Sequence, residues 1–478
     1  MSGPDLSSLT ASSAVSAVVR GDLRSEELLD AQLERIEAHN DELNLVVRLD
    51  IERARARARE ADAATAHGER WGPLHGLPMT IKDSFDTAGL VTSSGNPGFA
   101  DRVPEVDAAA VAQLRRAGAI VFGKTNLPLF AGDFQTDNAL HGRSRNPWGP
   151  DRTVGGSSGG AAGALAAGMT LLELGSDIGG SIRSPAHYCG VFGHKASLGV
   201  VPDAGHVPGS FDLGVMGPLG RSAADLELAM RVLTAEGVGD LGGSELPPAS
   251  PTSVGGRGLR IGLWSEDGAA PTSAACRAAV TAAAAALEAA GAEVVGEVRT
   301  PTSLTDQHLL YATMLTAEMA GGFPSHRIER ARDDLAAGID DPVERARATG
   351  LVLGHADWLG LNEQRRRVIA EWHRLLDDVD VVLAPVTPVP AFPHDTERKF
   401  DERFLDVDGE QVPYWLHVVW AGLATLPLLP STAVPVQRHE GLPVGVQIVG
   451  RRFADRTTIA VAGLLEAQLG GFVPPAGF

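Results

Sequence analysis

Apolar and polar positions along the chain alternate between helical and strand periods, and the order of these stretches predicts the fold class. Behind Ser25 and an acidic first turn (Glu26, Glu27), Leu29, Leu33 and Ile36 recur with helical spacing and predict an amphipathic helix. Residues 50–67 alternate Arg, Ala and Glu and predict a second, exposed helix, so residues 1–70 read as an N-terminal helical arm. Residues 79–82 form a short apolar run ending at a lysine, residues 108–117 a helix, and residues 119–123 a buried strand. Residues 159–168 read as a tightly packed small-residue helix, 169–175 as a buried strand and 191–215 as loop, followed by a helix over 222–235. A Gly, Pro and Ser-rich linker is expected over 237–258, then a strand, an Ala-rich helix and a strand over 259–263, 273–290 and 292–295. Residues 301–378 are mostly helical and carry no motif, and strands are expected at 380–385, 426–435 and 445–450. Helix and strand alternating in this way predict an α/β protein.

Composition narrows the function classes. With 44% apolar and 21% charged residues in 478, the chain has ample material for a core. The net charge of −19 argues against nucleic acid or an anionic membrane as the main partner, because phosphate binding needs clustered Lys and Arg. Two cysteines, Cys189 and Cys276, make no disulfide framework and fit a reducing compartment. The first residues lack a basic stretch followed by an apolar one, and the most apolar segment, 159–174, is shorter than the ~20 residues of a bilayer span. A cytoplasmic protein is expected.

Chemistry concentrates in two Gly/Ser clusters, Gly155-Gly156-Ser157-Ser158-Gly159-Gly160 and Asp177-Ile178-Gly179-Gly180-Ser181-Ile182-Arg183-Ser184-Pro185. Glycine in such density weakens regular structure and suits backbone that bends sharply or approaches a ligand. A flexible linker is one reading, but the clusters flank an apolar helix and a buried strand. Gly155 to Gly159 also fits the G-x-S-x-G elbow, which requires an apolar strand before it; Trp148-Gly149-Pro150-Asp151 precedes instead. A phosphate-cradling loop leaves the second cluster without a role. Cys189 with His187 is a further nucleophile candidate, set against a simple packed thiol. The reading that uses every part is a serine nucleophile deprotonated by a neutral lysine, Lys82, whose proton affinity burial must lower. The consecutive N–H groups of Ile178, Gly179, Gly180 and Ser181 form a candidate oxyanion hole.

The two clusters, with Lys82 in an Ile-Lys-Asp context upstream, resemble the amidase signature family of serine hydrolases. The likeness extends to Gly118–Asn126, Asn146-Pro147-Trp148, Met216-Gly217-Pro218 and Gly441–Gly450, nearly the whole chain. Ala196 and Leu129 depart from the pattern, where proline and glutamate are usual. The resemblance implies one large α/β domain over 1–478, a mixed central sheet with helices on both faces, and a variable helical insert over 301–378 covering the site. It implies Ser181 as nucleophile, Ser157 as relay entered through a cis peptide, and Lys82 as base, with Ser158, Asp177 and Arg183 in support and neither metal nor organic cofactor. The implied activity is hydrolysis of a small-molecule amide through an acyl-serine, with anilides, esters or carbamates as further substrates and a homodimer as the expected assembly. The alternative within the family is the glutaminase subunit of a glutamyl-tRNA amidotransferase, which would need a companion chain; residues 200–206 look more like stand-alone amidases.

Overall fold

In the computed structural model, residues 6–209, 212–234, 246–249 and 255–478 are described, so most of the linker expected at 237–258 lies outside the described residues. Two sheets carry the site. The smaller contains β1 (Val46–Leu49), β2 (Pro78–Lys82) and β3 (Ile120–Thr125), with β3 in the middle, antiparallel to β1 and parallel to β2. The larger draws on β4 (Leu172–Asp177), β5 (Phe192–Lys195), β6 (Val215–Gly220), β7 (Arg260–Leu263), β8 (Glu293–Glu297) and β9 (Val381–Pro385). After the hairpin β10 (Phe404–Val407) and β11 (Glu410–Pro413), it is completed by β12 (Ser431–His439) and β13 (Leu442–Gly450). Its order is β4-β6-β5-β12-β13-β9-β7-β8, antiparallel from β4 through β9 and parallel across β9, β7 and β8.

This mixed α/β architecture is the expected one, and β9 shows why helices must cover both faces. Val381 and Leu383 enter one core with Ile261, Val280 and Leu287, whereas Val382 and Ala384 enter another with Trp372 and Trp420. Alternate side chains point to opposite faces of a strand, so a strand apolar throughout needs cover on each side. The Ala-rich helix Ala274–Ala289, capped by Ser273, covers one. The helices Leu304–Met319 and His355–Asp378 cover the other through Tyr311, Met314, Val368 and Trp372.

Several elements differ from the sequence reading. The helix Ile51–Ala66 is not merely exposed: Ala54, Ala58, Ala61 and Ala64 line one buried face against β3 while its arginines stay outside. Within the loop expected over 191–215, residues 192–195 form β5 and β6 begins at its last residue, Val215, while Arg183–Cys189 is a helix. The strand expected at 169–175 runs instead from Leu172 to Asp177, so Ser176 and Asp177 end an edge strand of the large sheet. The small sheet meets that edge: the Thr80 N–H donates to Thr170 Oγ1 at 3.2 Å, and the Thr80 hydroxyl donates to Glu173. Among the described residues, no helix is long and apolar enough to cross a membrane.

Candidate active site

The junction of the two sheets brings the ends of β2 and β4 together. Lys82, the last residue of β2, is fully buried, with Nζ 2.6 Å from Ser157 Oγ and 2.9 Å from Ser176 Oγ. Burial pushes its proton affinity down to about 7, against the opposing pull of Asp177 and Glu173. Two more buried lysines are lowered in the same way, Lys124 to about 8 and Lys195 to about 7. Lys195 donates to the carbonyls of Leu429 and Ala196, and Lys124 to Phe85 O, Thr87 Oγ1 and Thr92 Oγ1. Of these three, Lys82 alone meets a serine of the Gly/Ser clusters, so geometry rather than proton affinity singles it out.

The first cluster reaches Lys82 because its backbone is pressed onto the helix Arg183–Cys189. Gly155 has φ +83°, and a Cβ there would lie 2.9 Å from Pro185 Cα. The Gly156–Ser157 peptide is cis. Ser158 N donates to Ser181 O at 3.0 Å, tying the two clusters together, and Ser158 Oγ donates to Ser176 O at 3.4 Å. Exposure falls from 6% at Ser181 to 1% at Ser157 and 0% at Lys82, a gradient that places Ser181 toward solvent and the amine at the back.

The second cluster turns around one carboxylate. Asp177 accepts from the N–H of Gly180 at 2.9 Å, Ile182 at 3.1 Å and Arg183 at 3.3 Å, and from the Arg183 guanidinium at 2.9 and 3.0 Å. Burial alone would raise this carboxyl, but the charge and hydrogen bonds of Arg183 bring it down to about 2. Arg183 is anchored in turn to Gln447 Oε1, Ala421 O and Thr425 Oγ1. The Gly180 N–H is therefore already engaged. The N–H groups of Ile178, Gly179 and Ser181 have no acceptor among the described residues. Tyr311, from the helical segment over 301–378, donates its hydroxyl to Ile178 O at 2.5 Å. Phe134, Tyr311 and Val418 stand in front of Gly179, within 4 Å of where a Cβ would be.

The other candidates do not assemble. No strand leads into Gly155 among the described residues, so the elbow context is absent. Cys189 Sγ donates to Val154 O, and burial pushes its thiol far up. His187 accepts from Gly445 N at 2.8 Å and is held down to about 4 by burial, facing backbone rather than the thiol. Sequence reasoning missed Ser176, His206 and Tyr311. Ser176 was open to discovery from its place beside Asp177, but His206 and Tyr311 arrive from distant loops and helices.

The amidase family's sequence profile matches residues 27–459. A glutamyl-tRNA(Gln) amidotransferase subunit from Anaeromyxobacter sp. (strain K) is 34% identical over 479 residues, covering 95% of this chain and 94% of that protein. Among solved structures, an amidase shares 33% identity at a TM-score of 0.79, covering 97% of this chain and 100% of the other. A bacterial aryl acylamidase of the amidase signature family shares 25% identity at a TM-score of 0.82, covering 97% of both chains. These relatives correct one expectation, the exclusion of nucleic acid among the partners. The Anaeromyxobacter protein is by its name part of an assembly that acts on a tRNA. Net charge speaks to phosphate contact by a whole chain acting alone, and says nothing of tRNA reached through companion chains. The profile match and an identity above 30% along almost the full chain place the protein in the amidase signature family of hydrolases.

Proposed function

We propose that this chain cleaves a carboxamide C–N bond through an acyl-enzyme on Ser181. The observation that carries the reading is the 2.6 Å contact between Lys82 Nζ and Ser157 Oγ at the buried end of the Ser181 loop. Ser181 Oγ attacks the carbonyl carbon and passes its proton to Ser157, whose own proton moves to the neutral Lys82. The N–H groups of Ile178, Gly179 and Ser181 receive the developing oxyanion; the Gly180 N–H instead holds the loop through Asp177. When the C–N bond breaks, the proton returns from Lys82 through Ser157 to the leaving nitrogen, and water releases the acyl group by the reverse path. Residues 1–478 act as one catalytic unit, with the helical segment 301–378 as the cover of the acyl side.

The relative from Anaeromyxobacter supports glutamine as the amide, with the released ammonia passed on inside a multi-chain assembly that works on glutamyl-tRNA. A specific feature of the pocket favours a second reading, an apolar acyl group. The carboxylate next to Phe134, Asp133, is occupied by Arg403 at 2.6 Å and the Tyr414 hydroxyl at 2.8 Å, so the wall before Gly179 presents the Phe134 ring edge, a Val418 methyl and the Tyr311 hydroxyl, with no free charge among them. The 25% identical aryl acylamidase supports an acyl anilide, whose ring sits on the leaving nitrogen, as the amide to set against glutamine. Purified protein assayed with glutamine and with an acyl anilide separates the two, using Ser181→Ala as the blank. Ammonia from glutamine with inert anilide supports the first, anilide cleavage with inert glutamine supports the second, and activity equal to the blank on both contradicts the proposal.

A further inference from the structure

Behind Lys82 runs a hydrogen-bonded chain whose polarity is set from its far end. His206 lies between β5 and β6, its ring packed edge-on to Phe85 with centroids 4.8 Å apart. Its Nδ1 is 2.7 Å from Pro208 O, and its Nε2 is 3.0 Å from Ser176 Oγ. Ser176 Oγ is in turn 2.9 Å from Lys82 Nζ. A carbonyl oxygen only accepts, so Nδ1 carries the ring's hydrogen and Nε2 presents a lone pair. Ser176 must then donate to Nε2 and accept from Lys82. A neutral amine has two N–H groups and one lone pair. With one N–H turned to Ser176, the lone pair is free for the Ser157 hydroxyl 2.6 Å away.

We infer that His206 is a positioning residue for the general base, acting through Ser176 to keep the Lys82 lone pair on Ser157. The inference rests on the role proposed above for Lys82 and Ser157. Burial above all holds the imidazole neutral, down to about 3; the titratable groups that face it are Lys82 from β2, which adds to this whenever it is protonated, and Lys124 from β3. Neutral is the form the chain requires. Without Nε2 as an acceptor, the Ser176 hydroxyl is free to rotate and donate to Lys82, competing with Ser157 for the one lone pair. The loop is fastened independently of this chain, because Val207 N donates to Ser84 O and Ser94 Oγ to Val207 O, each at 2.7 Å.

The test is the rate at which a small fluorophosphonate labels the folded protein, with Tm recorded for each variant. His206→Phe, which keeps ring volume and removes the acceptor, slows labelling by roughly 10- to 100-fold, the scale of a misaligned catalytic group. His206→Gln returns an acceptor and recovers much of the loss. Because His206 acts through Ser176, the double variant Ser176→Ala/His206→Phe is no slower than Ser176→Ala alone. Where His206→Phe is not folded, His206→Ala takes its place in the cycle. Labelling of His206→Phe within twofold of wild type, or a double variant whose loss is the product of the two single losses, overturns the inference. A label that persists in Ser181→Ala overturns the underlying reading instead.

Discussion

Arg183 grips Asp177 with two parallel hydrogen bonds, Nε to Oδ2 at 3.0 Å and Nη2 to Oδ1 at 2.9 Å, and neither side chain touches solvent. The same carboxylate accepts from Gly180 N, so this ion pair sets the course of the loop that ends in Ser181. Replacing Arg183 by Met leaves a buried, uncompensated carboxylate, which costs about 3–5 kcal/mol. Arg183→Met should show that loss in urea unfolding and should label poorly at Ser181 even where it remains folded. With the Asp177 carboxyl brought to about 2, the pair's stabilisation is complete above the unfolded carboxyl's ~3.9 and disappears as pH falls toward 2.

Lys82 must be neutral to act as base, and burial brings it to about 7. The rate of acylation is therefore expected to fall below about pH 7 and to reach a plateau above it. Stability follows the same group with a definite sign. Between about 7 and the unfolded lysine's ~10.4, the unfolded chain binds a proton there that the folded chain does not, so this group makes stability rise with pH. Lys82→Met removes that dependence. Urea midpoints of wild type and variant, compared across this range, should move apart in favour of wild type as pH rises, while the variant stays inactive throughout.

Tyr311→Phe removes the hydroxyl donated to Ile178 O and leaves that carbonyl without this donor. The ring continues to pack on Gly422, so the fold is retained. A fall in kcat of roughly tenfold is expected, the scale of one hydrogen bond of 1–1.5 kcal/mol, with Tm little changed. Steady-state kinetics with a thermal melt checks both.

Cys189 is a packed thiol and not a nucleophile. Cys189→Ala should keep activity within about twofold and cost on the order of 1 kcal/mol for the lost packing. Iodoacetamide applied to the folded protein should leave Cys189 unmodified, as read by peptide mass.

The sequence made the two Gly/Ser clusters and the strand ending at Lys82 legible, because glycine density and a lysine closing an apolar run each have few structural uses. The strands β5 and β6 were hidden for a physical reason: Gly193, Gly217 and Pro218 are poor strand residues, and their pairing with β12 and β4 is decided by tertiary contact. The buried face of Ile51–Ala66 was hidden because alanine is too small to announce a core. His206 was beyond reach of local reading, since its role depends on Ser176, thirty positions away, meeting it across the fold. The amide's identity is equally nonlocal: Phe134, Tyr311 and Val418 converge on Gly179 from three separate regions.

The central claim, a Ser181 nucleophile served by Ser157 and Lys82, is tested most directly by intact-protein mass spectrometry after exposure to a small fluorophosphonate. Wild type should gain a single adduct, Ser181→Ala none, and Lys82→Ala the same adduct at a rate lower by roughly 100-fold or more. An adduct that survives Ser181→Ala, or one that forms at the wild-type rate in Lys82→Ala, would contradict the account.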